Sequence, residues 1–145
     1  MRELPRQLSA DQLAELFEGR TRFVDRLAEL DDPLSEARRV ARELTEQEKK
    51  EVLDAHPAIG TKKLSPRSAA EQGADEDPAV LRELERLNRD YEQKFGFRFV
   101  VFVNRRPKAE IVPILRERLE RTREQELDTA LDELVAIAVD RWRRG

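Results

Sequence analysis

At 145 residues the chain suits one domain with a real core, and 41% charged against 39% hydrophobic residues marks a polar, helix-leaning protein. The net charge of −3 comes from 31 acidic and 28 basic side chains that are interleaved rather than blocked, which excludes the basic stripe of a nucleic-acid binder. There is no cysteine and one histidine, so disulfides, thiolate chemistry and cysteine-based metal sites are excluded, and a His-containing catalytic zinc centre is not expected.

In chain order, Ser9 to Gln12 reads as a capping box opening a helix with Leu13, Leu16 and Phe17 on its apolar face, stopped by Gly19. A second short helix carries Phe23, Val24 and Leu27. Asp32-Pro33 caps a third through Leu34, Ala37 and Val40. Thr45 to Glu48 is another capping box, and its helix runs through Val52, Leu53 and Ala55 towards His56. Ser65-Pro66 starts a short helix, and Asp77-Pro78 a longer one to about Phe95 with Leu81, Leu84, Leu87 and Tyr91 along one face. Asn88 shares that face, so it either bonds neighbouring backbone or binds a ligand.

The stretch FGFRFVVFV, residues 95–103, has strand composition but no second strand to pair with. It is too apolar for a surface loop, so it is expected to cross the core, its backbone groups met by side chains, a second subunit or a bound polar molecule. Pro107 and Pro113 bracket the start of the next helix, which is firm only from about Ile114 to Leu119. The last helix, roughly Glu124 to Arg144, has an apolar arc of Leu127, Leu131, Leu134, Val135, Ala138 and Trp142. Arg141 falls inside that arc. A guanidinium aimed inward pairs with a buried glutamate, snorkels to solvent or meets an anionic ligand. The fold expected is thus an all-α, single-domain bundle of about seven to eight helices with one extended segment, about 97–103, crossing the core. No apolar run is long enough to span a membrane, and MRELPRQLSADQ lacks the apolar core of a signal peptide, so a cytoplasmic protein is expected.

The residues from Asp54 to Gly73 carry the chemistry. Pro57 disfavours a helical His56, which places the only imidazole at a helix C-terminus, where the carbonyl ends favour a protonated ring. In the following helix Ser68, Glu71 and Gln72 stand at i, i+3 and i+4 and project from one face. A titratable ring, a carboxylate, an amide and a hydroxyl in one small volume make a candidate acid–base site.

Five elements then occur in order: HP at 56–57, SxxEQ at 68–72, LNxxY at 87–91, FGFxFVV at 95–101 and IAxxR at 137–141. In this the chain resembles the family of 2-oxo-4-hydroxy-4-carboxy-5-ureidoimidazoline decarboxylases of uric acid breakdown. The resemblance runs from about Thr45 to Trp142, within a single domain of residues 1–145. It implies an all-helical, cofactor-free, generally dimeric enzyme that forms S-allantoin from a small-molecule substrate with loss of CO2. It implies His56 and Glu71 as catalytic residues. Pro57, Ser68, Gln72, the backbone of Phe99, Val100 and Val101, and Arg141 would contact substrate, with no metal involved.

Residues 1–44 depart from the pattern. Where the family carries a Glu…Pro-Trp element that helps close the pocket, this chain reads FEGRTRFVDRLAEL, and SxxEQ is followed by Gly-Ala-Asp-Glu-Asp-Pro. Two alternatives therefore stand beside decarboxylation: chemistry on a different ureido or imide product of purine breakdown, and a non-catalytic helical interaction module.

Overall fold

The computed structural model describes residues 3–57 and 77–144, and among them the chain is all-α. Seven helices follow one another: α1 Ala10–Phe17, α2 Arg22–Ala28, α3 Pro33–Glu43, α4 Glu46–Asp54, α5 Pro78–Phe95, α6 Lys108–Leu119 and α7 Arg123–Arg144. The Ser65 helix lies outside the described residues. Helices α1 and α4 start at complete capping boxes, Ser9 with Gln12 and Thr45 with Glu48, each joining side chain to backbone in both directions. Asp77 caps α5, its carboxylate accepting from the Ala79 N–H at 3.0 Å. Asp32 holds the cap position of α3 but makes no side-chain cap bond, and Pro33 at the first helical position sets that start instead.

The sixth helix differs from the sequence reading. It begins at Lys108, and Pro113 lies inside it. Proline removes the bond that the carbonyl of Ala109 would accept, but Ala109 and Pro113 are both exposed, so water can meet that carbonyl. Ile111, Val112 and Leu115 are buried on the opposite face and hold the helix together across the break.

Helix α7 is the hub, packing against α1, α3 and α4, while α5 packs against α6. The segment between α5 and α6 ties these parts together. At the end of α5 the chain turns through Gly96, whose φ of 81° only glycine adopts without strain. Phe97, Phe99, Val100, Val101 and Val103 are then buried. As expected, this stretch crosses the core, and no strand exists among the described residues for it to join.

Side chains meet one edge of its backbone with a period of two. The Arg98 N–H donates to Asp54 of α4 at 3.1 Å, the Val100 carbonyl accepts from Arg118 of α6 at 2.7 Å, and the Phe102 N–H donates to Glu133 of α7 at 3.4 Å. That alternation is the signature of extended chain. Among the described residues, the N–H and C=O groups of Phe99 and Val101, on the other edge, have no hydrogen-bond partner.

A buried polar network supports the segment from below. Glu126 of α7 is fully buried; its Oε1 accepts from the Tyr91 hydroxyl at 2.7 Å and from Arg118 Nε at 2.7 Å, and its Oε2 from Arg121 at 3.0 Å. Burial, first, pushes the Tyr91 phenol well above its ordinary pKa, so it stays a donor. The Arg118 guanidinium lies over the Phe99 ring at 4.5 Å. Replacing Glu126 by leucine leaves two guanidinium groups without their carboxylate, so Glu126→Leu should destabilise the fold by about 3–5 kcal/mol. Chemical denaturation measures this, and an unchanged midpoint would show that the network is incidental.

Candidate active site

Helix α4 ends at Ala55, whose N–H donates to the Glu51 carbonyl at 3.2 Å, and the His56 N–H closes the turn onto Leu53 at 3.2 Å. Pro57 then prevents continuation. The last carbonyls of a helix lack intrahelical partners. Here Arg98 supplies them: its Nη1 donates to the Asp54 carbonyl at 3.0 Å and also to the His56 carbonyl. Since the Arg98 N–H bonds the Asp54 carboxylate as well, the extended segment and the histidine are joined at three points.

His56 is 4% exposed, and its Nε2 is buried without a hydrogen-bond partner among the described residues. Here the structure corrects the expectation of a protonated ring. Burial is the largest influence and the Arg141 guanidinium the next; together they push the imidazole down to about 4, against the opposing Glu18 carboxylate. The helix terminus favours positive charge by only about 0.3–1 kcal/mol near the surface, too little to offset removal from water. The ring is neutral at pH 7. An unpaired buried nitrogen costs roughly 1–3 kcal/mol, which makes it a site primed for a partner.

Arg141 comes from α7 and is as buried as its place in the apolar arc requires, at 3% exposure. Of the partners open to it in the sequence, it takes a carboxylate: its Nη2 lies 2.9 Å from Glu18, and its Nη1 donates to the Leu16 carbonyl at 3.0 Å. Both acceptors sit at the C-terminus of α1, the negative end of that helix. The residue that ends α1 is Glu18 in the left-handed region, φ 65° and ψ 20°, rather than Gly19. A side chain held there costs about 1–2 kcal/mol, and this one carries the carboxylate that meets Arg141. Gly19 lies beside Ala55 just past the end of α4: a Cβ at Gly19 would stand 3.5 Å from that of Ala55, an ordinary contact.

The structure thus gathers His56, Arg141, Glu18 and Arg98 where α1, α4, α7 and the extended segment meet. Pro57 is half-buried beside His56, and Phe99, Val100 and Val101 are buried in the neighbouring segment. Ser68, Glu71 and Gln72 fall outside the described residues. Asn88 is buried on its predicted face of α5.

Glu18, Arg98, Arg118 and Glu126 did not stand out in the sequence. For Glu126 a signal existed: at 100° per residue it shares a wheel edge with Ala130, Leu134, Ile137 and Arg141, so the helix aims it inward. A neutral imidazole with an unpaired nitrogen beside a fixed guanidinium is suited to moving a proton on an anionic molecule. Because Arg141 closes an ion pair, Arg141→Met should strand Glu18 and destabilise the protein by about 3 kcal/mol, whereas Arg141→Lys should recover part of the loss. Thermal unfolding of both variants checks this, and a stabilised Arg141→Met would contradict the pairing.

Comparison with known proteins points one way. The sequence pattern of the OHCU decarboxylase family matches residues 2–143. The 2-oxo-4-hydroxy-4-carboxy-5-ureidoimidazoline decarboxylase of Haloferax volcanii is 28% identical over 139 residues, 88% of this chain and 83% of that protein. The uric acid degradation bifunctional protein PucL of Bacillus subtilis is 31% identical over 154 residues, covering 95% of this chain but 30% of that protein. A crystal structure of OHCU decarboxylase in the presence of (S)-allantoin has the same fold, with a TM-score of 0.75, 24% identity and coverage of 90% of this chain and 94% of that one.

Proposed function

The chain belongs to the OHCU decarboxylase family, and from that premise we propose that it converts 2-oxo-4-hydroxy-4-carboxy-5-ureidoimidazoline to S-allantoin and CO2 in urate breakdown. In this reading it is a carboxy-lyase working in the cytoplasm as a homodimer, on a small-molecule substrate and with no cofactor, its whole length forming one domain. The observation that supports the reading best is His56: a buried, neutral imidazole whose Nε2 lacks a partner among the described residues.

The substrate contains its own electron sink. Its carboxylate lies β to a ring C=N bond, so when the bond to CO2 breaks the electron pair forms a C=C bond and the C=N electrons move to nitrogen, which takes up a proton from water to become the ring N–H. The 4-hydroxyl then loses its proton to become the carbonyl of allantoin, and one proton is delivered to one face of the neighbouring ring carbon. The protein has to keep the carboxylate out of water and control those two protons. His56 acts as acid–base on the hydroxyl and carboxylate side. A neutral ring suits that task because it can accept a proton without first losing one.

Glu71, Gln72 and Ser68 orient the ring and ureido N–H groups, with Pro57 lining the site beside His56. Arg141, anchored by Glu18, meets an anionic or carbonyl oxygen. The edge of the extended segment at Phe99 to Val101 offers backbone groups to the planar ring. Glu18 lies in the FEGRTRFVDRLAEL stretch, which was expected to depart from the family but falls inside the residues its pattern matches, and it contributes a carboxylate to the site.

Freshly generated substrate should give optically active allantoin much faster than it does spontaneously, as followed by circular dichroism. His56→Gln should keep a helical spectrum and lose on the order of 10²–10⁴ in rate, and Glu71→Gln should lose turnover while folding normally. Turnover of another ureido or imide compound alone would shift the substrate. No turnover of any, with a folded protein, would favour the interaction module.

A further inference from the structure

The Val100 carbonyl is the one backbone acceptor in the middle of the extended segment that a buried side chain holds. Arg118 Nη1 donates to it at 2.7 Å, while Nε of the same guanidinium donates to Glu126 at 2.7 Å. Glu126 is itself fixed by the Tyr91 hydroxyl and by Arg121, and Arg121 donates on to Thr129 at 2.9 Å. Arg118 also lies against the faces of Phe99 and Tyr91. With its side chain 6% exposed, this guanidinium has almost no freedom to move.

A trans peptide is planar, so the C=O of one residue and the N–H of the next point in opposite directions. No cis bond occurs among the described residues. Pinning the Val100 carbonyl on Arg118 therefore turns the Val101 N–H away from Arg118, onto the edge where Phe99 and Val101 have no partners among the described residues. Building on the decarboxylase reading, we infer that Arg118 is a positioning residue for substrate: by holding the Val100 carbonyl it aims the Val101 N–H at a carbonyl oxygen of the ureido or imidazoline group. It touches no reacting atom.

Lysine at position 118 keeps the charge opposite Glu126, but its single flexible nitrogen lacks the rigid fork by which arginine reaches Glu126 through Nε and Val100 through Nη1, so it should not fix both together. Tyr91→Phe is the complementary change. It removes the phenol's bond to Glu126 and lowers stability while leaving the Arg118–Val100 bond in place.

Titrating the ¹⁵N-labelled full chain with (S)-allantoin and following amide proton shifts tests the inference. The Val101 amide should move downfield and saturate in the wild type and in Tyr91→Phe. In Arg118→Lys that response should vanish and allantoin should bind roughly tenfold more weakly, the effect of losing about one hydrogen bond. A Val101 amide that stays still while His56 responds would overturn the positioning role and leave the decarboxylase reading intact. So would equal loss of response in Arg118→Lys and Tyr91→Phe, which would mark the network as structural only. If neither Val101 nor His56 responds at saturation, the decarboxylase reading fails and this inference with it.

Discussion

A guanidinium that cannot lose its charge is buried at the junction of three helices, and much of the site follows from accommodating it. Arg141 reaches from α7 to the C-terminus of α1, where the Glu18 carboxylate and the Leu16 carbonyl receive it. To bring its carboxylate there, Glu18 adopts a left-handed backbone that glycine would hold more easily. The same charge acts on His56, where it reinforces burial in keeping the imidazole neutral. One buried ion pair thus links the end of α1, the last helix and the protonation state of the only histidine.

The extended segment poses the second problem, because buried backbone without a sheet must find side-chain partners. Asp54, Arg118 and Glu133 meet alternate residues of the segment, each from a different helix. This solution leaves one edge of the chain facing away from those partners. It also explains why so many charged groups lie inside: Arg118 and Glu126 are buried because the segment needs a donor where no neighbouring strand provides one. Arg98 extends the same logic to the end of α4, holding the carbonyls of Asp54 and His56.

Helices with caps or periodic apolar faces were legible in the sequence, as α1, α4, α5 and α7 show, because local signals and burial agree there. The core-crossing role of residues 97–103 was legible too, from apolarity without a partner strand. The start of α6 was not, since tertiary packing of Ile111 and Leu115 overrides the local effect of Pro113. The inward place of Arg141 followed from the wheel, but its partner did not. Glu18 is distant in sequence, and an Arg–Glu contact of that kind leaves no periodic trace. The charge state expected of His56 was reversed for a related reason. A helix terminus is visible locally, whereas burial and a neighbouring arginine belong to the assembled fold.

Everything proposed for the site depends on a buried, neutral His56 facing Arg141. Nuclear magnetic resonance titration of the imidazole in the intact protein, from about pH 8 down to the acid limit of folding, tests that directly. The ring should remain neutral through the ordinary histidine range and protonate only as the pH approaches about 4. An inflection near 6.5, the value of a solvated histidine, would contradict it.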